Sequence, residues 1–145
     1  MSTPRFTVTD PGKPPTIDPR ITHDAATGLD WQTVPFPARM TWDQAEEACT
    51  ALRLGGHDDW RLPTRAELLT LVDDTRHDPA IDTEAFPDTP LAWFWTATPY
   101  AEDPSGCVWI VSFDLGGSFC GARDSHNRAR AVRGTPRQFS ASLEG

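Results

Sequence analysis

Apolar and polar positions follow two rhythms along this chain. From Thr41 onward Trp42, Ala45, Ala48, Cys49 and Leu52 recur at the spacing of one helix face, with Asp43, Glu46 and Glu47 on the other side. Thr41 and Gln44 have the capping-box pattern, in which two side chains satisfy backbone N–H groups at a helix start. The pattern predicts a helix that begins at Trp42 and is ended by Gly55-Gly56. The same grammar returns after Pro63: Thr64 as N-cap, Glu67 three residues on, then an apolar stripe of Leu68, Leu69, Leu71 and Val72.

Elsewhere the period falls to two. Residues 21–24 and 29–32 read as short strands reversed over Ala25-Ala26-Thr27-Gly28. Residues 94–98, 108–113, 119–123 and 128–133 read as a second set, with Asp114-Leu115-Gly116-Gly117 as a hairpin turn. In that hairpin Trp109, Val111 and Phe113 share one face and Val108, Ile110 and Ser112 the other. The simplest register sets Cys120 opposite Val111, so a Cys107–Cys120 bridge needs a shifted register. Trp93 and Trp95 flank Phe94, and both are read as buried. Residues 73–92, acidic and broken by Pro, read as a long surface loop. Helices followed by a meandering antiparallel sheet give an α+β domain with the helices on one small sheet. We divide the chain into a Pro-rich arm (1–20), the domain (21–134) and a loosely ordered tail (135–145).

Composition sharpens this picture. A chain of 145 residues supports one core, and 14 Pro with 10 Gly argue for loops rather than a helical bundle. A net charge of -8 excludes a broad nucleic-acid face. No apolar run is long enough to span a bilayer, and the first residues lack a signal-peptide core, so a cytoplasmic location is expected, with export as the alternative. Three Cys cannot all pair within one chain, which rules out a disulfide scaffold. The charge is split: residues 73–114 have Arg76 as their one base, whereas Arg123, Arg128, Arg130, Arg133 and Arg137 face only Asp124 and Glu144 in the last 31 residues. These Arg are expected to pair with the acidic middle. His23, His57, His77 and His126 form no metal-ligand pattern. Neither a nucleophile elbow nor a phosphate-cradling Gly loop is present, so no enzyme activity is expected.

Two strings are more specific: Thr27-Gly28-Leu29-Asp30-Trp31-Gln32, and the run Asp59-Trp60-Arg61-Leu62-Pro63-Thr64-Arg65-Ala66-Glu67-Leu68. In the second, Trp60 and Leu62 alternate around Arg61, so the segment enters the core extended. Pro63 keeps Leu62 out of the helix, and the Arg61 fork can tie carboxylates or loop carbonyls. This is scaffold chemistry. Together with Thr41-Trp42-Asp43-Gln44-Ala45, Phe94-Trp95-Thr96-Ala97-Thr98 and Arg130-Ala131-Val132-Arg133-Gly134, the series resembles the DUF1566 family, the Lcl C-terminal domain.

The resemblance implies a C-type-lectin-like fold, distantly similar to the formylglycine-generating enzymes. It also implies that recognition falls on the second half of the chain. The candidate ligand-binding residues are Tyr100, Phe119, Arg123, Asp124, Ser125, His126, Asn127, Arg128 and Arg130. The ligand is expected to be a glycan, anionic or sulfated among the options, or a protein. The alternatives are an assembly domain of a phage or secretion apparatus, a variable protein of a diversity-generating retroelement, or a degenerate oxidase related to the formylglycine-generating enzymes. Many lectin-like domains bind calcium, and Asp73, Asp74, Asp78, Asp82 and Glu84 offer oxygens, but a solvated acidic loop is favoured and no cofactor is expected. The family often pairs a Cys at the Cys49 position with one in the last strand. This chain has Ala131 there, which leaves Cys49 as a small buried apolar residue.

Overall fold

A computed structural model of the chain describes residues 5–9, 21–87, 89–114 and 116–135. Strands β1 (Phe6–Thr9), β2 (Ile21–Asp24) and β3 (Leu29–Gln32) lead into helices α1 (Trp42–Ala51) and α2 (Arg65–Leu69). Strands β4 (Trp93–Pro99), β5 (Cys107–Ser112), β6 (Ser118–Ala122) and β7 (Val132–Arg133) follow. The strands form two antiparallel sheets, β1-β2-β3-β7 and β4-β5-β6. The α+β class holds, with two sheets where the sequence suggested one.

Both capping boxes form. The Thr41 hydroxyl accepts from the Gln44 N–H and Gln44 reaches back to the Thr41 N–H; Thr64 and Glu67 do the same for α2. Helix α1 ends earlier than expected. Leu52 is already extended, and Gly55 and Gly56, both at positive φ, form instead the tight turn that brings His57 back to Leu54. A side chain at Gly55 would also collide with Ile21, 2.5 Å from its Cβ position.

Arg61 meets its expected role. Its guanidinium grips both oxygens of Glu67 (2.8 and 2.9 Å) and the Gly134 carbonyl (2.8 Å), while its backbone pairs with Val132. Glu67 is buried; burial raises its pKa, but the Arg61 fork and the Thr64 N–H outweigh that and hold it below the usual carboxylate range. Asp24 is built the same way. Burial works against its charge, and Arg5, Thr27 and the Ala26 N–H overcome it.

The β4-β5-β6 sheet is a partition between two cores. Trp95, Val108 and Ile110 point into one, with Cys49, Trp60 and Leu62. Phe94, Val111 and Phe113 point into the other, with Trp31, Leu68 and Phe86. The alternation read from the sequence therefore separates two buried faces rather than an inside from an outside. Each large apolar side chain so buried contributes about 1.5–3 kcal/mol.

Four expectations are corrected. Residues 6–9, read as part of an irregular arm, pair with β2 as an edge strand; residues 10–20 and the tail from 136 lie outside the described residues. The segment 73–92 is not wholly surface loop, since Ala80 is buried and Ile81, Ala85 and Phe86 fill the second core. The β5–β6 register is shifted: Cys120 lies opposite Trp109, because the strands close on Ser112 and Gly117, each one residue earlier than expected, and Phe113 turns inward within the reversal. The strand expected over 128–133 keeps only Val132 and Arg133 as a ladder. Ahead of them the extended chain deals its hydrogen bonds to several partners in turn: Met40 at Asn127, Trp93 and Trp95 at Arg128, Phe36 at Ala129, and Gln32 at Ala131. Cys49 and Ala131 are both fully buried in the first core, and burial pushes the Cys49 thiol up to about 12.

Candidate functional site

The rim of the β4-β5-β6 sheet carries the exposed aromatic surface. Trp93 stands opposite Ser112 and Phe119 opposite Ile110, so both rings rise from the same face of β5, one from each neighbouring strand. Their centroids are 6.3 Å apart at 46°. Trp93 is 38% exposed and Phe119 63%, and Leu91 beside them is 54% exposed. This corrects the reading of Trp93 as buried. Trp95, two residues on, is fully buried and donates to the Met40 carbonyl, but Trp93 is the first residue of its strand and overhangs the end of the core.

A cleft of about 160 Å3 opens beside the Trp93 ring, lined by Arg39, Leu91, Ala92, Trp93, His126, Asn127 and Arg128. Its floor is fixed by the extended chain, where Asn127 and Met40 exchange backbone hydrogen bonds and Arg128 docks between Trp93 and Trp95. The cleft thus gathers His126, Asn127 and Arg128 from the sequence candidates and adds Arg39, Leu91 and Trp93, while Phe119 lies outside it against the Trp93 ring. Arg39 and Leu91 carried no motif of their own; the signal for Trp93 was its place at the strand's first position, where alternation no longer guarantees a covering layer.

The other candidates lie elsewhere. Arg130 is fully buried, which corrects its reading as a ligand contact. Its Nη1 donates to the carbonyls of Gln32 (2.7 Å) and Thr33 (2.6 Å), and its Nη2 to Thr89 (2.8 Å), with Phe86 beneath the guanidinium at 4.8 Å. Burial pulls its pKa down to about 9. Arg123 is a latch: it lies over the Trp42 ring at 4.3 Å, donates to the Pro104 carbonyl at 2.7 Å, and accepts from the Trp42 N–H through its own carbonyl. Ser125 closes a turn onto the Ala122 carbonyl, and Asp124 is exposed. Tyr100 packs edge-on to Trp109, on the sheet face opposite Phe119.

The expected pairing of the C-terminal Arg with the acidic middle does not form among the described residues. Arg133 pairs with Asp30 and Asp59, both upstream of residue 73. Nearly every described Arg commits its guanidinium to a partner: Arg5, Arg61, Arg76 and Arg133 to carboxylates, Arg53, Arg123 and Arg130 to carbonyls, Arg65 to Ser118. Arg39 and Arg128 are the exceptions among the described residues, and both line the cleft. The Arg128 Nε is buried and has no hydrogen-bond partner. The orphaned Nε atoms of Arg65, Arg123 and Arg130 belong to guanidiniums stacked on Trp109, Trp42 and Phe86, a compensation Arg128 lacks.

A larger hollow of about 630 Å3 lies between β1 and the segment after α2, where Asp73, Asp74, Asp82 and Glu84 surround Arg5, Phe6 and Leu71. Its carboxylates already have work. Asp73 accepts from Thr75 and Arg76, and Asp82 from the N–H groups of Glu84 and Ala85. Asp78 stands apart, with its carboxylate on His77 and close enough to Asp114 to raise the pKa of that residue. Among the described residues no group of three or more His, Cys, Asp or Glu could hold a metal ion, and no helix is long and apolar enough to cross a membrane.

The frame is that of a small α+β domain presenting one aromatic and cationic rim. The chain belongs to the Lcl C-terminal domain family, whose model matches residues 20–133. No curated protein matches it.

Proposed function

We propose that this domain is a non-catalytic binding module of C-type-lectin-like architecture that takes an anionic glycan on its Trp93–Phe119 rim. The observation that carries the reading is the pair of uncommitted guanidiniums, Arg39 and Arg128, in one cleft beside an exposed indole. In a chain of net charge -8, leaving two cations without carboxylate partners keeps them free for an outside anion. An Arg fork matches a carboxylate or sulfate through paired charge-assisted hydrogen bonds. A sugar ring has an apolar face that covers an aromatic side chain, and rigid aromatics give contact area at low entropic cost. His126 and Asn127 add polar groups at the cleft wall.

The test is a glycan array read at low and moderate salt, repeated with Arg128→Ala and Trp93→Ala. Binding to sulfated or uronate-bearing glycans that weakens with salt and is lost in both variants supports the reading. Wild-type protein that retains no anionic glycan at low salt overturns it, and an acidic peptide held in its place would mark a protein ligand.

A further inference from the structure

The opposite face of the β5–β6 hairpin carries two thiols that the binding rim does not use. The register sets Cys107 opposite Ala122 and Cys120 opposite Trp109. Alternation then puts both sulfurs on one face of adjacent antiparallel strands, one diagonal step apart. Both residues are partly exposed, whereas Cys49 is sealed in the core. We propose that Cys107 and Cys120 form a two-thiol oxidation site that closes to an intramolecular disulfide when a hydroperoxide reaches it.

Several features of the surroundings support this assignment. Burial, Cys120 and Asp103 together raise the Cys107 pKa, which places Cys120 within interaction range of that thiol. The register brings both sulfurs to one face of the hairpin at its open end. Diagonal partners in a regular sheet stand about 7–8 Å apart, and a disulfide spans Cα atoms up to about 6.8 Å apart. A small inward shift suffices. It falls at the first residue of β5, where the chain has just left the 101–106 turn. Asp103 and Glu102 crowd this end of the hairpin with negative charge, beside Tyr100, whose pKa Glu102 raises. That charge disfavours an anionic oxidant such as glutathione disulfide, and it also disfavours the thiolate, so the pair reacts slowly and a small neutral hydroperoxide in excess is the fitting class.

The chemistry balances. With hydrogen peroxide, one thiolate attacks one peroxide oxygen and the O–O bond breaks; a sulfenic acid forms, and the hydroxide that leaves is protonated to water. The second sulfur attacks the sulfenic sulfur, a second water leaves, and the S–S bond forms. Two electrons pass from the two thiols to the peroxide. The bridge would fix β6 beneath Phe119, the residue before Cys120, whose ring stands on the other face.

The assignment is independent of the glycan reading. The full chain is reduced, exposed to hydrogen peroxide at neutral pH, alkylated without unfolding and mapped by mass spectrometry under non-reducing conditions. The expected product is a monomer that has lost the mass of two hydrogens, with a Cys107–Cys120 linkage and with Cys49 alkylated only after denaturation. Cys107→Ser and Cys120→Ser should each halt at a sulfenic acid trapped by a carbon nucleophile. Wild-type protein that accumulates sulfenic acid, or that dimerises through either Cys without the internal linkage, overturns the proposal.

Discussion

Arg128 and Arg130 stand two residues apart in one extended segment and meet opposite fates. Arg130 points inward, where the carbonyls of Gln32 and Thr33 and the Thr89 hydroxyl hold its guanidinium above Phe86. Arg128 points along the rim with its guanidinium uncommitted. Same residue type and same backbone parity do not decide between scaffold and site; what the neighbouring chain offers does. The β3 end and the Thr89 turn supply acceptors around Arg130, while the rim around Arg128 supplies Arg39, Leu91 and Trp93, which offer its guanidinium no acceptor.

The largest effect expected follows from that contrast. Arg130→Met should remove the donors from two buried carbonyls and a buried hydroxyl, a loss on the order of 3–5 kcal/mol given the strength of hydrogen bonds to charged groups. Arg128→Met should move stability by no more than about 0.5 kcal/mol. Urea midpoints of the two variants measure the difference, and equal midpoints would erase the distinction between the two regions.

Next in size is the acid limb of the stability curve. Glu67 and Asp24 both have lowered pKa values in the fold. Each therefore contributes stability that is present above its unfolded value and lost as pH falls through the lower folded one. Urea midpoints taken from neutral pH downward should fall through the carboxylate range. Glu67→Gln keeps an N3 acceptor for the Thr64 N–H, as Gln44 does in α1, but gives up the charge gripped by Arg61; it should be less stable at neutral pH by about 1.5–3 kcal/mol and should lose less on acidification. An unchanged acid slope in the variant would locate the titration elsewhere.

The binding prediction leaves stability aside and is specific to the rim. Loss of one charge-assisted interaction, about 1.5–3 kcal/mol, predicts that Arg128→Ala weakens an anionic glycan on the order of ten- to a hundredfold. Arg123→Ala should instead loosen the Trp42 and Pro104 contacts and show in thermal stability. If Arg123 rather than Arg128 controls affinity, the site lies at the start of α1.

How far these contrasts were legible in the sequence depends on range. Capping boxes at Thr41 and Thr64, the β2–β3 hairpin and the Arg61–Glu67 tie involve residues a few positions apart, and each formed as read. The fates of Arg123, Arg128 and Arg130 depend on Pro104, Trp93 and Thr89, which reach them only through the tertiary fold. The β5–β6 register goes with Phe113 turning into the core beside Leu68 and Phe94, while Gly116, at positive φ, and Gly117 close the reversal on Ser112. Trp93 shares its parity with Trp95, and only the length of the covering layer separates them.

Phe119 sharpens the same point at the smallest scale. A Phe exposed at 63% gains little from folding, and its ring touches Trp93 rather than filling a core. Phe119→Ser should therefore leave the urea midpoint within about 0.5 kcal/mol of wild type, or raise solubility, while reducing ligand retention. Phe113→Ser, six residues earlier in the same hairpin, removes a fully buried ring packed at 5.2 Å on Phe94 and should unfold the domain. A chain free to place polar residues at position 119 without loss of stability has Phe there for a reason outside its own folding. A large stability loss in Phe119→Ser would show instead that the rim is a thin edge of the core, and that Trp93 stays exposed only because the core ends there.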